Sequence, residues 1–124
     1  MVKRKSQSDH DRIVRYVADF LVTKNYSAVR ADIPGFDQPM RIIWTNTGQG
    51  HIPDVTAQGQ QFNLFEVETA DSIDDPHTRD QWSLFATYAG GHNAVFWVVI
   101  PNGSGVVARR RLTQLGIAGK VWEV

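Results

Sequence analysis

The stretch AVFWVVI at residues 94–100 limits the possible folds more than any other part of the chain. It is an unbroken apolar run with turn signals on both sides, GGHN before it and PNG after it. A strand with one face in water alternates apolar and polar residues, whereas a continuous apolar run needs cover on both faces. The run therefore predicts a central strand of an α/β domain, with helices packed on either side of a sheet.

Helical spacing supplies the cover. Ile13, Val14, Val17, Phe20 and Leu21 recur three and four apart, which predicts a helix capped by Ser8 or Asp9 and running to about Lys24. Trp82, Phe85, Ala86 and Ala89 form the stripe of a second helix, with Asp75 or Thr78 near Pro76 as caps and Gly90 and Gly91 at its end. A third helix spans residues 103–116, with Val107, Leu112 and Leu115 inward and Arg109, Arg110 and Arg111 largely outward. YSAVRADI at residues 26–33 reads as a strand ended by Pro34 and Gly35, and residues 40–45 as a short strand or extended lead-in before the turn NTGQG. KVWEV at the end makes a last short strand. A meander followed by alternating elements implies a mixed sheet flanked by helices.

At 124 residues the chain reads as a single domain, 1–124, without repeats or linkers. Residues 1–7, with Lys3, Arg4 and Lys5 together, read as a flexible basic arm. Thirteen basic residues balance thirteen acidic ones, so no global field draws the chain to nucleic acid or to an anionic membrane, and any such binding rests on local patches. The lack of cysteine excludes disulfides, thiolate metal sites and a cysteine nucleophile. No stretch approaches the ~20 apolar residues of a membrane span, and MVKRKSQSDHDR lacks the apolar core of a signal peptide. The expectation is a cytoplasmic protein with no membrane partner.

The chemistry concentrates in HIPDVTAQGQQFNLFEVET, residues 51–69, which reads as two strands joined by a polar turn at residues 58–61, where Gly59 supplies an unusual backbone angle. Asp54 lies on the first strand and Glu66 and Glu68 on the second. Residues two apart on a strand share a face, so Glu66 and Glu68 project together and Val67 away from them. A register placing residue 54 opposite residue 66 would bring three of the chain's acids to one face, including two of its only three glutamates. Like charges held together are destabilising, and a divalent cation is the usual reason for such a cluster.

At these residues the chain resembles the PD-(D/E)XK nuclease superfamily, which includes restriction enzymes, junction resolvases and repair exonucleases. Pro53-Asp54 stands where that motif has its PD, and Glu66-Val67-Glu68 where it has (D/E)XK. Gln81, followed by Tyr88, resembles the glutamine and tyrosine of exonuclease-like members. The resemblance spans roughly residues 8–100 and implies a restriction endonuclease-like fold with an αβββαβ core, here followed by a C-terminal helix and strand. Glu68 departs from the pattern, since the superfamily usually keeps lysine there, although a minority of restriction endonucleases carry glutamate.

The resemblance implies a Mg²⁺-dependent nuclease, with Mn²⁺ as a substitute, that hydrolyses phosphodiester bonds of nucleic acid, DNA above all. So small a core offers little substrate surface by itself, and a homodimer is expected. Asp54 and Glu66 would be direct metal ligands, Glu68 a further ligand or the general base, and Gln81 a hydrogen-bond partner for a water or phosphate near the metal. Arg79 or a second metal would supply the cation that lysine normally provides, and His51 or His77 could assist. The alternative is a nuclease-fold binding or assembly module without catalysis, which the glutamate at the lysine position and the neutral overall charge favour. Asp71, Asp74 and Asp75 read as a capped, solvated loop, and Trp44, Trp82, Trp97 and Trp122 as core or interface residues.

Overall fold

The computed structural model describes residues 7–124 and runs α1 (Gln7–Thr23), β1 (Ser27–Ala31), β2 (Ile42–Ile43), β3 (Gly50–His51), β4 (Val55–Gln58), β5 (Phe62–Val67), α2 (Pro76–Gly91), β6 (Val95–Ile100), α3 (Gly105–Leu115) and β7 (Lys120–Glu123). Five strands form a mixed sheet in the order β1-β4-β5-β6-β7. β1, β4 and β5 are antiparallel neighbours, whereas β6 lies parallel to β5 and β7 parallel to β6. The parallel steps require crossovers, and α2 and α3 supply them.

Both faces of the sheet are covered, as the apolar run requires. On one face Val55, Ala57, Phe65, Val67 and Val99 pack against Ile13, Val14, Val17, Ala18 and Leu21 of α1. On the other, Leu64, Phe96, Val98 and Ile100 meet Trp82, Phe85 and Ala89 of α2 and Ala108 and Leu112 of α3. Odd-numbered residues of β5 and β6 thus face α1, and even-numbered ones face α2 and α3. Fully burying each large side chain of this core, such as Leu64 or Ile100, contributes about 1.5–3 kcal/mol relative to leaving it in water. No helix among the described residues is long and apolar enough to cross a membrane.

Several boundaries differ from the sequence reading, each for a local reason. The basic arm at residues 1–6 lies outside the described residues, and Gln7 belongs to the first turn of α1, where its amide donates to Asp11. Residues 40–45 do not join the main sheet: β2 pairs only with β3, as a separate two-stranded hairpin docked on α2. β1 carries a bulge between Ser27 and Arg30, where Ala28 adopts a positive φ of 50°. In α3 the inward stripe is Gly105, Ala108 and Leu112, so Val107 is exposed; the helix starts at Gly105, and Val107 lies one residue off that stripe. Gly59 has no positive φ; it is needed because a Cβ there would come within 2.8 Å of the Tyr26 ring.

Asp75 caps α2, its side chain accepting from the His77 backbone N–H, and Pro76 follows at the first helical position. Gly116 ends α3 in the left-handed conformation with φ 65°.

Candidate functional site

The β4–β5 hairpin sets the geometry of the acids. Gln58 pairs with Phe62 and Val55 with Phe65, so residues 59–61 form the turn. One step beyond the last pair, the same register brings Asp54 opposite Glu66, and one further step brings Pro53 opposite Val67. Proline has no N–H to donate, so the ladder stops there, and the Val67 N–H turns to Asp54 Oδ2 at 2.8 Å. The Asp54 backbone N–H donates to Glu66 Oε1 at 3.1 Å. Asp54 therefore lies just ahead of β4, and its side chain closes the end of the strand pair.

The two carboxyl groups are buried and in mutual hydrogen-bonding reach. Burial alone pushes the Asp54 carboxyl up. The hydrogen bond and positive charge of His10, the Val67 N–H and the Glu66 carboxyl together outweigh burial and hold it below the ordinary carboxylate value. His10 Nε2 lies 3.1 Å from Asp54 Oδ2, and its Nδ1 lies 3.1 Å from the exposed Asp11. The imidazole thus links a buried carboxyl to a solvent-facing one.

Glu68 sits one residue past β5, where its backbone N–H donates to the Val99 carbonyl, and it is fully buried. Ser72 Oγ donates to its Oε1 at 2.6 Å, and the Trp82 indole N–H to its Oε2 at 3.2 Å. Both donors are neutral, and both lie on segments that follow Glu68 in the chain. Glu68 therefore ties the β5–α2 loop and the start of α2 to the end of β5. Gln81, next to Trp82 on α2, is half-buried, and its Oε1 is a buried acceptor without a hydrogen-bond partner among the described residues.

The other candidates divide. Arg79 is exposed, with its Nε 3.6 Å from Asp80. Asp71 accepts from Thr69 Oγ1, Asp75 caps α2, and the exposed Asp74 lies 3.7 Å from Arg111 Nε. Arg109 and Arg110 are exposed, whereas Arg111 is half-buried. Trp82 is buried, and Trp44, Trp97 and Trp122 are half-buried against the two cores. His51 and His77 meet edge to face with ring centroids 5.2 Å apart. Burial first, then the neighbouring His77 and the Arg41 charge, lower the His51 pKa against an opposing pull from Asp80. These two histidines line a cleft of about 640 Å³ between the β2–β3 hairpin and α2.

His10 is the residue that the sequence reading missed. It falls on the same three-and-four spacing as Ile13, Val14 and Val17, so its burial was legible from the stripe. Its partner was not, because Asp54 lies 44 residues away in the chain.

No family model, no curated protein and no solved structure matches the chain. Among the described residues no group of three or more His, Cys, Asp and Glu side chains is gathered to enclose a metal ion. The Asp54–Glu66 pair still fits Mg²⁺, which keeps most of its waters and needs only one or two carboxylates. Two carboxyls in mutual contact supply hard oxygen donors of the right kind.

Proposed function

We propose that this protein is a Mg²⁺-dependent hydrolase of nucleic-acid phosphodiester bonds, DNA above all, built on a restriction endonuclease-like arrangement of its mixed sheet. The observation that carries the reading is the Asp54–Glu66 contact: two buried carboxyl groups brought together where the β4–β5 ladder ends. In the interior such a pair is costly unless a proton or a cation is shared between them.

A bound Mg²⁺ or Mn²⁺ would lower the pKa of a coordinated water and neutralise charge on the phosphate. Asp54 and Glu66 would hold it. The His10 imidazole and the Val67 N–H fix the orientation of Asp54 by engaging Oδ2. Gln81 would accept a hydrogen bond from the attacking water or from a substrate hydroxyl, and Glu68 positions it by anchoring the adjacent Trp82 to β5. Glu68 then acts as a positioning residue, consistent with glutamate standing where the superfamily keeps a lysine that faces substrate. Because so small a domain offers little substrate surface, the active form would be a homodimer.

A second reading is favoured by one specific observation. Both Glu68 oxygens are engaged by neutral donors, and Arg79 lies against Asp80, so neither fills the cationic role of the missing lysine. On that reading the domain binds nucleic acid without cutting it.

Titration calorimetry with Mn²⁺ and cleavage assays on plasmid and oligonucleotide substrates separate the two. The wild type is expected to bind metal and cut DNA, and Asp54→Asn with Glu66→Gln to lose metal binding and reduce cleavage about a thousandfold. Metal binding without cleavage of DNA or RNA favours the second reading. Metal binding unchanged in the double variant ends the proposal.

A further inference from the structure

The β2–β3 hairpin lies between β1 and β4 in the chain, pairs apart from the main sheet and packs on α2. Ile42 is buried against α2, and Gly50 lets the two short strands approach so closely that a Cβ would fall on the Ile42 carbonyl. The hairpin walls the cleft of about 640 Å³, whose other side is the first turns of α2. Its lining includes Arg41, His51 and His77 as cationic or N–H donor groups, Trp44 as an aromatic face, and Asn46 and Gln49 as amides able to donate and accept. Asp80 is the one carboxylate in the lining, and Arg79 lies beside it.

We infer that this cleft takes a single strand of nucleic acid, with a phosphate between Arg41 and the His51–His77 pair and a base against Trp44. The inference rests on the nuclease reading above and names the form of its substrate. Two imidazoles with ring centroids 5.2 Å apart and a guanidinium at the same cleft concentrate donors that an anion would satisfy together. The chain is neutral overall, so phosphate affinity rests on local patches, of which this cleft is one. A half-buried aromatic ring beside that patch, with amides nearby, is the combination that stacks and reads unpaired bases. Asp54 follows His51 by three residues, so their backbones lie within about 11 Å of each other.

The test measures fluorescence anisotropy of a short labelled oligo(dT) in EDTA, where metal and cleavage play no part. Arg41→Glu is expected to weaken binding about tenfold and to flatten the dependence of log Kd on log salt by about 0.7. Trp44→Leu is expected to weaken it about fivefold, and the double variant His51→Gln with His77→Gln by a similar factor. Arg41 is exposed, so its variant keeps the fold, which a thermal melt verifies. If the three cleft variants bind unchanged while Asp54→Asn abolishes cleavage, the cleft inference falls and the hydrolase reading stands. If cleavage is absent from the wild type but the cleft variants lose oligonucleotide affinity, the cleft inference stands alone. Preference for duplex over single strand, or equal competition by an acidic peptide, overturns it.

Discussion

Asp54 with Glu66, and Glu68 two residues beyond, are three buried acids at the end of one hairpin, and they are served in different ways. The first two meet each other, under a histidine and a backbone N–H. The third accepts from Ser72 and Trp82, neutral donors that come from the next segment of chain. Two carboxyls in contact need a proton or a cation between them, whereas a carboxyl between a hydroxyl and an indole is met by neutral donors. Acids that look equivalent by strand alternation therefore divide into a candidate metal pair and a structural clasp.

The largest expected effect tests the clasp. Glu68→Ala leaves the Ser72 hydroxyl and the Trp82 indole N–H buried without their acceptor and should cost about 3 kcal/mol in urea unfolding, whereas Glu68→Gln, which keeps an acceptor, should cost about 1 kcal/mol. If Glu68→Ala is as stable as the wild type but loses metal binding, the division between the two regions collapses and Glu68 joins the metal site. A smaller effect comes from the partner side. Trp82→Phe keeps the ring in the core but removes the N–H, and should cost about 1–2 kcal/mol with metal affinity unchanged. A fall in metal affinity instead would mean that the clasp and the pair are one unit.

The finest distinction is in the response to acid. The folded-state pKa of Asp54 lies below its unfolded value, so its contribution to stability is present above about pH 4 and is lost as the pH falls through the folded value. His10→Gln removes the charge and shortens that acid-sensitive arm of the stability curve, measured by urea unfolding from pH 5 to lower values. A curve identical to the wild type would show that His10 does not support Asp54.

Much of this was legible in the chain. The apolar run at residues 94–100 and the stripe through Ile13, Val14, Val17 and Leu21 located a covered strand and one of its covers, because both signals are local periodicities. The spacing around a turn at residues 58–61 brought residue 54 only to within one position of residue 66; the pairing of Gln58 with Phe62, which shortens the turn to residues 59–61, sets the two opposite. Other features left no local mark. β2 and β3 are two residues each, too short for a pattern, and their pairing apart from the main sheet depends on Ile42 finding α2. Gly59 read as a source of backbone freedom, but it is required by the approach of Tyr26, more than 30 residues earlier in the chain.

By itself the sequence determined the class of the fold, the buried faces of the first two helices and the placing of three acids about one hairpin, since each depends on residues a few positions apart. Tertiary structure alone decided which acids meet: His10 reaches Asp54 across 44 residues, and Trp82 reaches Glu68 across 14. Burial raises the energetic stakes of each such meeting, because a carboxyl removed from water must find its donor, proton or cation among whatever the fold places beside it.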